Sequence, residues 1–600
     1  MCNTRRGRII GCLLVLAAML AACPAFAQID LSGEWSNLTH EDVNHRQSVE
    51  IGDYAGLPIN DAARLKAQSW DEAVLATHER QCIPHVVTYA MRGQPGNIRI
   101  GKIDDSGTGQ IIAYTILGTY GRPRTIWMDG RAHPSEYAPH TWAGFSTGKW
   151  EGNALAVTTT HIKMGWIMRN GVPASDRTTL SEHFIRHGDR LLDVIIVYDP
   201  VYLSEPFIRT QDWRLNLNGE PNAWGPCGPA QIIDEIPNQA KGYVPHHLPG
   251  TNEQLREFPA KRKVPPEAAM GGAETTYPEY MLKLQGRPVP ASPPRPAPTP
   301  VQPAERIGDI EVLPVQGNVY MLAGDGGNIA VQVGEDGVLL VDSGLAQFSE
   351  KALAAIQKLS NKPIRFIVNT SARPDHTGGN ERFAKAGSKI GGGLIVGGYA
   401  GDGAMVIAHQ KVLKAMSAPT GKTASAPSAA WPTDTYPGES KEIYSNSEGI
   451  ELFHPTAANT DGDSIVYFRR SDVVVTGDLF STTSYPVIDA EKGGSFTGVL
   501  AGLNRIIDLT IPKDWQEGGT MVIPGHGRIA DEADVVEYRD MITIVRDRIQ
   551  DMIKRGMTLE QVKAAKPTVD YDGRYGATTG AWTTAMFIEA AYRDLRSPGR

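Results

Sequence analysis

The stretch Arg287 to Ala304 reads RPVPASPPRPAPTPVQPA, and it fixes the organisation of everything around it. Proline locks φ and removes the backbone donor, so a run this dense cannot enter a helix or an inner strand. It favours extended polyproline II and acts as a semi-rigid spacer. At 600 residues the chain exceeds what one core serves, so folded modules are expected on both sides. The boundaries that follow are a leader over 1–27, an N-terminal module over 28–286, the spacer over 287–304 and a C-terminal module over 305–600.

In the leader, Arg5, Arg6 and Arg8 precede the apolar run Ile9 to Leu20, and Ala25-Phe26-Ala27 offers a small-residue cleavage site ahead of Gln28. That is the pattern of a secretion signal, and it predicts an exported protein, periplasmic or secreted. The apolar run is too short for a permanent anchor, and no other stretch is long enough to span a membrane. Leu20-Ala21-Ala22-Cys23 resembles a lipobox, so a lipid anchor at Cys23 is the alternative. The net charge of −8 becomes about −11 without the leader arginines and gives no reason to expect nucleic acid as a partner. Of five cysteines, three lie in the leader. The remaining Cys82 and Cys227 make a candidate disulfide in an oxidising compartment, with two free thiols as the alternative.

The N-terminal module reads as mainly antiparallel β, a barrel or a sandwich. Phe145 to Ile162 forms two strand-like runs around Glu151-Gly152-Asn153, and Ser181 to Pro200 repeats the design around His187-Gly188-Asp189. Glycine with Asn or Asp between alternating β-branched runs signals a hairpin. Gly33-Glu34-Trp35 is similar to the opening G-x-W of lipocalin-like barrels. This half also resembles an uncharacterised class of secreted bacterial sequences, which implies no activity. The cluster Trp127 to Arg131 with His133-Pro134 is either a turn with a packed tryptophan or a ligand surface. His246 and His247 lack metal-ligand spacing and are expected on the surface or in loops.

The C-terminal module alternates differently. Val331 to Val341, Arg365 to Val368, Ile465 to Phe468, Val473 to Val475 and Met521 to Ile523 read as buried strands. Helical patterns cover Phe348 to Leu359 and Asp534 to Lys554, and Thr558-x-x-Gln561 opens a further helix as a capping box. Strands mixed with helices on this scale imply a layered α/β fold. Gly391-Gly392-Gly393 to Gly403 lacks the Lys-Ser/Thr of a phosphate loop and reads as a flexible loop near a site mouth. His409 and His454 are expected at strands or strand ends rather than as ligands.

Five motifs in order carry a resemblance to the metallo-β-lactamase superfamily over most of 312–596. They are Gly326-Gly327-Asn328 with Val338 to Gly344, the loop Asn369 to Asn380, Asn459 to Ser464, Thr476-Gly477-Asp478 and Pro524-Gly525-His526-Gly527. The resemblance implies an αββα sandwich with its site along one sheet edge. The family's first metal is held by three histidines, and the matching positions here are Ser371, Arg373 and Asn459. Arginine cannot deprotonate to become a ligand. The second-metal positions match Asp375, His376 and His526, with Asp478 able to bridge. Three N/O ligands plus an open position is the composition of a catalytic zinc site.

The expected cofactor is therefore one divalent ion, zinc first, with iron or manganese as alternatives, held by Asp375, His376, Asp478 and His526. The expected activity is hydrolysis of an ester, thioester or amide-type bond, with Asp375, Arg373 and Asn459 as the catalytic candidates. Arg373 stands for the missing metal in polarising a carbonyl or anchoring an anionic group, and Asn459 donates to a developing oxyanion. The competing expectation is a catalytically inactive binding or assembly module, in which Arg373 forms a bidentate pair with Asp478 and closes the site without metal.

Overall fold

A computed structural model describes residues 29–38, 50–91, 96–222, 242–288, 310–388, 403–417 and 423–596. The leader with Cys23, most of the proline spacer, Cys227 and the glycine-rich stretch up to residue 402 lie outside the described residues. Cys82 is disulfide-bonded, and its expected partner Cys227 is among the residues not described.

Nine strands of the N-terminal module close into a barrel, which decides between the two β architectures. Their order around it is Gly33–Asn37, Phe207–Leu215, Arg190–Tyr198, Thr179–His187, Ala154–Thr160, Phe145–Glu151, Arg124–Trp127, Ile111–Gly118 and Ile98–Asp104. Both hairpins read from the sequence are present, with Glu151 opposite Ala154 and His187 opposite Arg190. Gly152 and Gly188 sit at their tips with φ of 64° and 63°, the left-handed region that glycine enters without a Cβ penalty. Inward positions carry Trp35, Tyr114, Phe184 and Trp213, all buried. Arg124 is also buried and donates to Glu182, Ser146 and Thr159, so its charge is paired as burial demands.

One barrel pair is parallel, with Ile126 opposite Ser146 and Trp127 opposite Thr147. A tight turn cannot join parallel neighbours, so the chain must cross over between them. That crossover, residues 128–144, stays bonded to the barrel and also reaches the C-terminal module. Ser135 Oγ donates to Glu311 at 2.6 Å, and the Tyr137 carbonyl accepts from the Ile529 amide at 3.0 Å. At its start the Arg131 guanidinium lies 3.5 Å from the Trp127 ring centroid, and His133 bridges the Thr147 and Thr160 hydroxyls. The Trp127 cluster is thus a turn satisfied by its own contacts.

The C-terminal module stacks two sheets. The first has seven strands, Glu311–Gln316, Val319–Ala323, Ile329–Gly334, Gly337–Val341, Ile364–Val368, Met405–His409 and Asp434–Tyr436. The second has six, Ser440–Ser445, Glu448–Phe453, Ile465–Phe468, Val473–Val475, Met521–Ile523 and Ala530–Asp531. Met321, Leu339, Val341, Ile450, Leu452 and Phe468 fill the space between them. Burying each such side chain contributes roughly 1.5–3 kcal/mol. Helix Ser349–Leu359 covers the outer face of the first sheet through Leu353 and Ile356. Helices Phe496–Leu509, Glu532–Lys554 and Thr584–Arg596 cover the second. The layering is the expected αββα sandwich, and the capping box at Thr558 and Gln561 is formed.

The spacer does not keep the modules apart. Arg80 of the N-terminal module pairs with Glu537 and Asp540, each at 2.7 Å. Arg548, fully buried, binds Asp570 at 2.7 Å and reaches across to Ser69 Oγ at 2.7 Å. The Tyr202 hydroxyl donates to the Asp570 carbonyl at 3.1 Å. His246 lies in a loop, as expected, and packs 3.6 Å from Asp547 in this seam.

Candidate metal centre

Four strands bring the site together because their C-terminal ends share one edge of the sandwich. Gly337–Val341 runs parallel to Ile364–Val368 in one sheet, and Val473–Val475 parallel to Met521–Ile523 in the other. Asp342 follows the first strand, the loop carrying Arg373, Asp375 and His376 follows the second, Asp478 the third and His526 the fourth. The ligand atoms offered by Asp375, His376, Asp478 and His526 all lie within 4.8 Å of one another. Donors bound tetrahedrally to one ion at about 2.0–2.2 Å stand about 3.3–3.6 Å apart, so the pairs at 3.1–3.4 Å are near that spacing and the wider ones must draw in to close on an ion.

His376 is the best-defined member. It is fully buried, and its Nδ1 lies 2.7 Å from Asp342 Oδ2. The Thr370 amide and hydroxyl both donate to Asp342, at 2.7 and 2.6 Å, which holds that carboxylate in place. Asp342 adopts φ of 64°, a conformation sparsely populated by non-glycine residues and often found where a side chain is held for function. A carboxylate on Nδ1 orients a histidine so that Nε2 faces a ligand. Nε2 is indeed buried and makes no well-aligned hydrogen bond, only an ion pair with Asp478 Oδ1, and Asp478 Oδ2 likewise has only its ion pair with Arg373. Two buried ligand atoms that make ion pairs but no well-aligned hydrogen bond, inside a four-donor cluster, are compatible with a cation.

The remaining contacts are electrostatic. His376 Nε2 lies 3.1 Å from Asp478 Oδ1, and His526 Nε2 lies 3.1 Å from Asp375 Oδ2 and 3.4 Å from Asp478 Oδ1. Burial opposes ionisation of Asp375, but the His526 hydrogen bond and the nearby cations outweigh it and hold its carboxyl at about 2. Burial likewise opposes charge on His526, while Asp375 and Asp478 push its imidazolium up to about 9. The same balance, led on the stabilising side by Asp478 and Asp342, raises His376 well above the usual histidine range.

At the first-metal positions Ser371 and Asn459 are buried. Arg373 Nε stands 2.9 Å from Asp478 Oδ2 and 3.4 Å from Asp375 Oδ1. Arg373 therefore straddles two carboxylates rather than gripping Asp478 with a bidentate fork. Asn459 Nδ2 donates to the Asp478 carbonyl at 2.7 Å, tying its loop to the ligand loop. The backbone closes just as tightly. A Cβ on Gly525 would lie 2.5 Å from Asp478 Oδ1, and one on Gly327 would lie 2.7 Å from the Asp375 carbonyl. His409 and His454 stack at 3.7 Å at strand ends, outside the ligand cluster. Asp342 is the functional residue that the sequence reading passed over. Its signal was present in Val-Asp-Ser-Gly after a buried strand.

The metallo-beta-lactamase superfamily model matches residues 312–526. No curated protein matches the chain. Among solved structures, the stereoselective inverting sec-alkylsulfatase Pisa1 from Pseudomonas sp. is 15% identical with a TM-score of 0.35, covering 47% of this chain and 50% of that one. The chain thus spans about half the length of that relative. A metallo-beta-lactamase from Pontibacter korlensis is 15% identical at a TM-score of 0.31, covering 39% of this chain and 99% of that one. DIM-1 metallo-beta-lactamase is 15% identical at 0.31, covering 40% and 99%. The motif order, the two-sheet sandwich and the model match agree that residues 312–526 form a domain of the metallo-beta-lactamase superfamily.

Proposed function

We propose that this chain is an exported hydrolase that works with a single divalent ion, zinc in the first instance, at the Asp375, His376, Asp478 and His526 cluster. The observation that carries this reading is the convergence of four ligand atoms, the buried Nε2 of His376 among them, within 4.8 Å of one another. A divalent ion bound there supplies Lewis acidity and lowers the pKa of a water toward neutrality. Asp342 keeps the His376 ring turned toward the cluster. Asp375 accepts a hydrogen bond from the attacking water. Arg373, with 32% of its side chain exposed, receives the carbonyl oxygen or an anionic group of the substrate. Asn459 has a second amide hydrogen beyond the one given to Asp478, and in this reading it serves the developing oxyanion. Ester, thioester and amide-type bonds are the substrate class, since each passes through such an oxyanion. Chelator-sensitive turnover of these substrates, lost in His526→Ala, tests the proposal; turnover unaffected by that substitution refutes it. Export rests on the leader alone, and a mature N-terminus at Gln28, rather than an acylated Cys23, is its test.

One observation favours a second reading. Asp342, Asp375 and Asp478 are matched by Arg373, His376 and His526, so the centre can balance its charge without an ion. A metal-free binding module follows from that balance. It predicts no bound metal even after incubation with zinc.

A further inference from the structure

We propose that the N-terminal barrel module is a working part of the metal centre, with Asp176 as a positioning residue for His526 acting through Arg528. The inference rests on the reading of the cluster as a metal site and extends it to a residue 350 positions away in the chain.

Three contacts from the N-terminal module converge on the few residues that follow His526. Arg528 Nη2 donates to Asp176 Oδ2 at 3.1 Å, and both residues are more than nine-tenths buried. The Ile529 amide donates to the Tyr137 carbonyl at 3.0 Å. Lys163 Nζ donates to Asp531 at 2.6 Å and Asp534 at 2.9 Å. Asp531 and Asp534 form the capping box of helix Glu532–Lys554, so Lys163 fixes the point where the loop enters the helix.

The loop passes this restraint back to the ligand. The Arg528 amide donates to Thr482 Oγ1 at 3.0 Å, and the Thr482 amide donates to the His526 carbonyl at 3.1 Å. A Cβ on Gly527 would lie 2.0 Å from Thr482 Oγ1, so the segment has no room to shift past it. From within its own module, Asn328 Nδ2 grips the Pro524 and Gly527 carbonyls. His526 is thus held on one side by its own sheet edge and on the other by the barrel module.

Charge explains why the outer contact matters. Asp176 faces two guanidiniums, Arg528 and Arg574, and binds Arg574 Nη2 at 2.7 Å. Asp534 is the second anion on Arg528, at 2.8 Å. Without the Asp176 carboxylate, two buried guanidiniums are left facing each other, and Arg528 must move toward Asp534 or solvent. Its own backbone is the one bonded to Thr482, so the displacement reaches His526.

Asp176→Asn in the full-length protein tests this by two readouts. Hydrogen exchange of the peptide covering 524–531 is measured beside that of the barrel strands, and zinc binding is titrated in parallel. The expected result is faster exchange confined to 524–531 and its contacts, with zinc affinity lowered about tenfold or more. Asp176→Glu should restore both. Folded Asp176→Asn with unchanged exchange at 524–531 overturns the inference. Should Asp176→Asn fail to fold, Lys163→Met is read in the same way. Wild-type protein that binds no zinc contradicts the proposed function, while the exchange data still decide the barrel's hold on the loop.

Discussion

Replacing Asp570 by asparagine should be among the most damaging single substitutions in the molecule. Arg548 and Asp570 are both fully buried and joined by two contacts, at 2.7 and 2.9 Å. Removing one partner of a buried pair leaves an uncompensated charge and typically costs 3–5 kcal/mol. Arg548 keeps hydrogen bonds to the Pro567 carbonyl at 2.8 Å and Ser69 Oγ at 2.7 Å, so the lower end, about 3 kcal/mol, is expected. Two to four degrees per kcal/mol is typical of domains of about 150–250 residues, which gives a drop of roughly 6–12 °C. Because Ser69 belongs to the barrel module, the loss should appear in its docking as well as in the sandwich. Thermal unfolding by circular dichroism reads the shift, and limited proteolysis across the seam reads the docking. The double replacement Arg548→Met with Asp570→Leu removes both charges and should recover most of the loss. A shift below about 2 °C for Asp570→Asn, or a double variant as unstable as the single, would refute the argument from uncompensated charge.

Three further outcomes follow from the same geometry. Arg373→Ala should tighten zinc binding by about tenfold or more, because it removes a cation beside Asp375 and Asp478, while lowering turnover; calorimetric titration checks the first. Gly525→Ala should abolish metal binding in a folded protein, since its Cβ would meet Asp478 Oδ1 at 2.5 Å; metal analysis of the purified variant decides it. Burial, with Glu79 and Asp531 nearby, pushes the Glu532 carboxyl up to about 8 from its ordinary 4.5. Between those values the native state keeps a proton that the unfolded chain has lost, so stability falls as pH rises from about 5 to 8. Glu532→Gln lacks that slope, and its melting temperature should gain on wild type across the window; a constant difference would contradict the assignment.

The sandwich was legible because its signals are local. Ile465 to Phe468, Val473 to Val475 and Met521 to Ile523 are short apolar runs beside turn residues, and the ligands follow strand ends directly. The two barrel hairpins were legible for the same reason, since glycine at a left-handed tip marks the turn. Closure of the barrel was not, because it depends on Gly33–Asn37 pairing with both Phe207–Leu215 and Ile98–Asp104, far away in the chain. The seam was hidden for a stronger reason. Arg80 meets Asp540 across 460 residues, and an isolated arginine reads as solvated surface until its partner is known. The four metal-ligand candidates come together as the motif order implied, whereas the grip of Asp342 on His376 needed coordinates to be seen.

The most direct test of the central claim is the metal content of the purified protein, measured by mass spectrometry beside His526→Ala. The account predicts about one divalent ion per chain in the wild type and its loss in the variant. No metal in either protein after incubation with zinc would contradict it, and would mean that Arg373 and the two histidines balance the carboxylates alone.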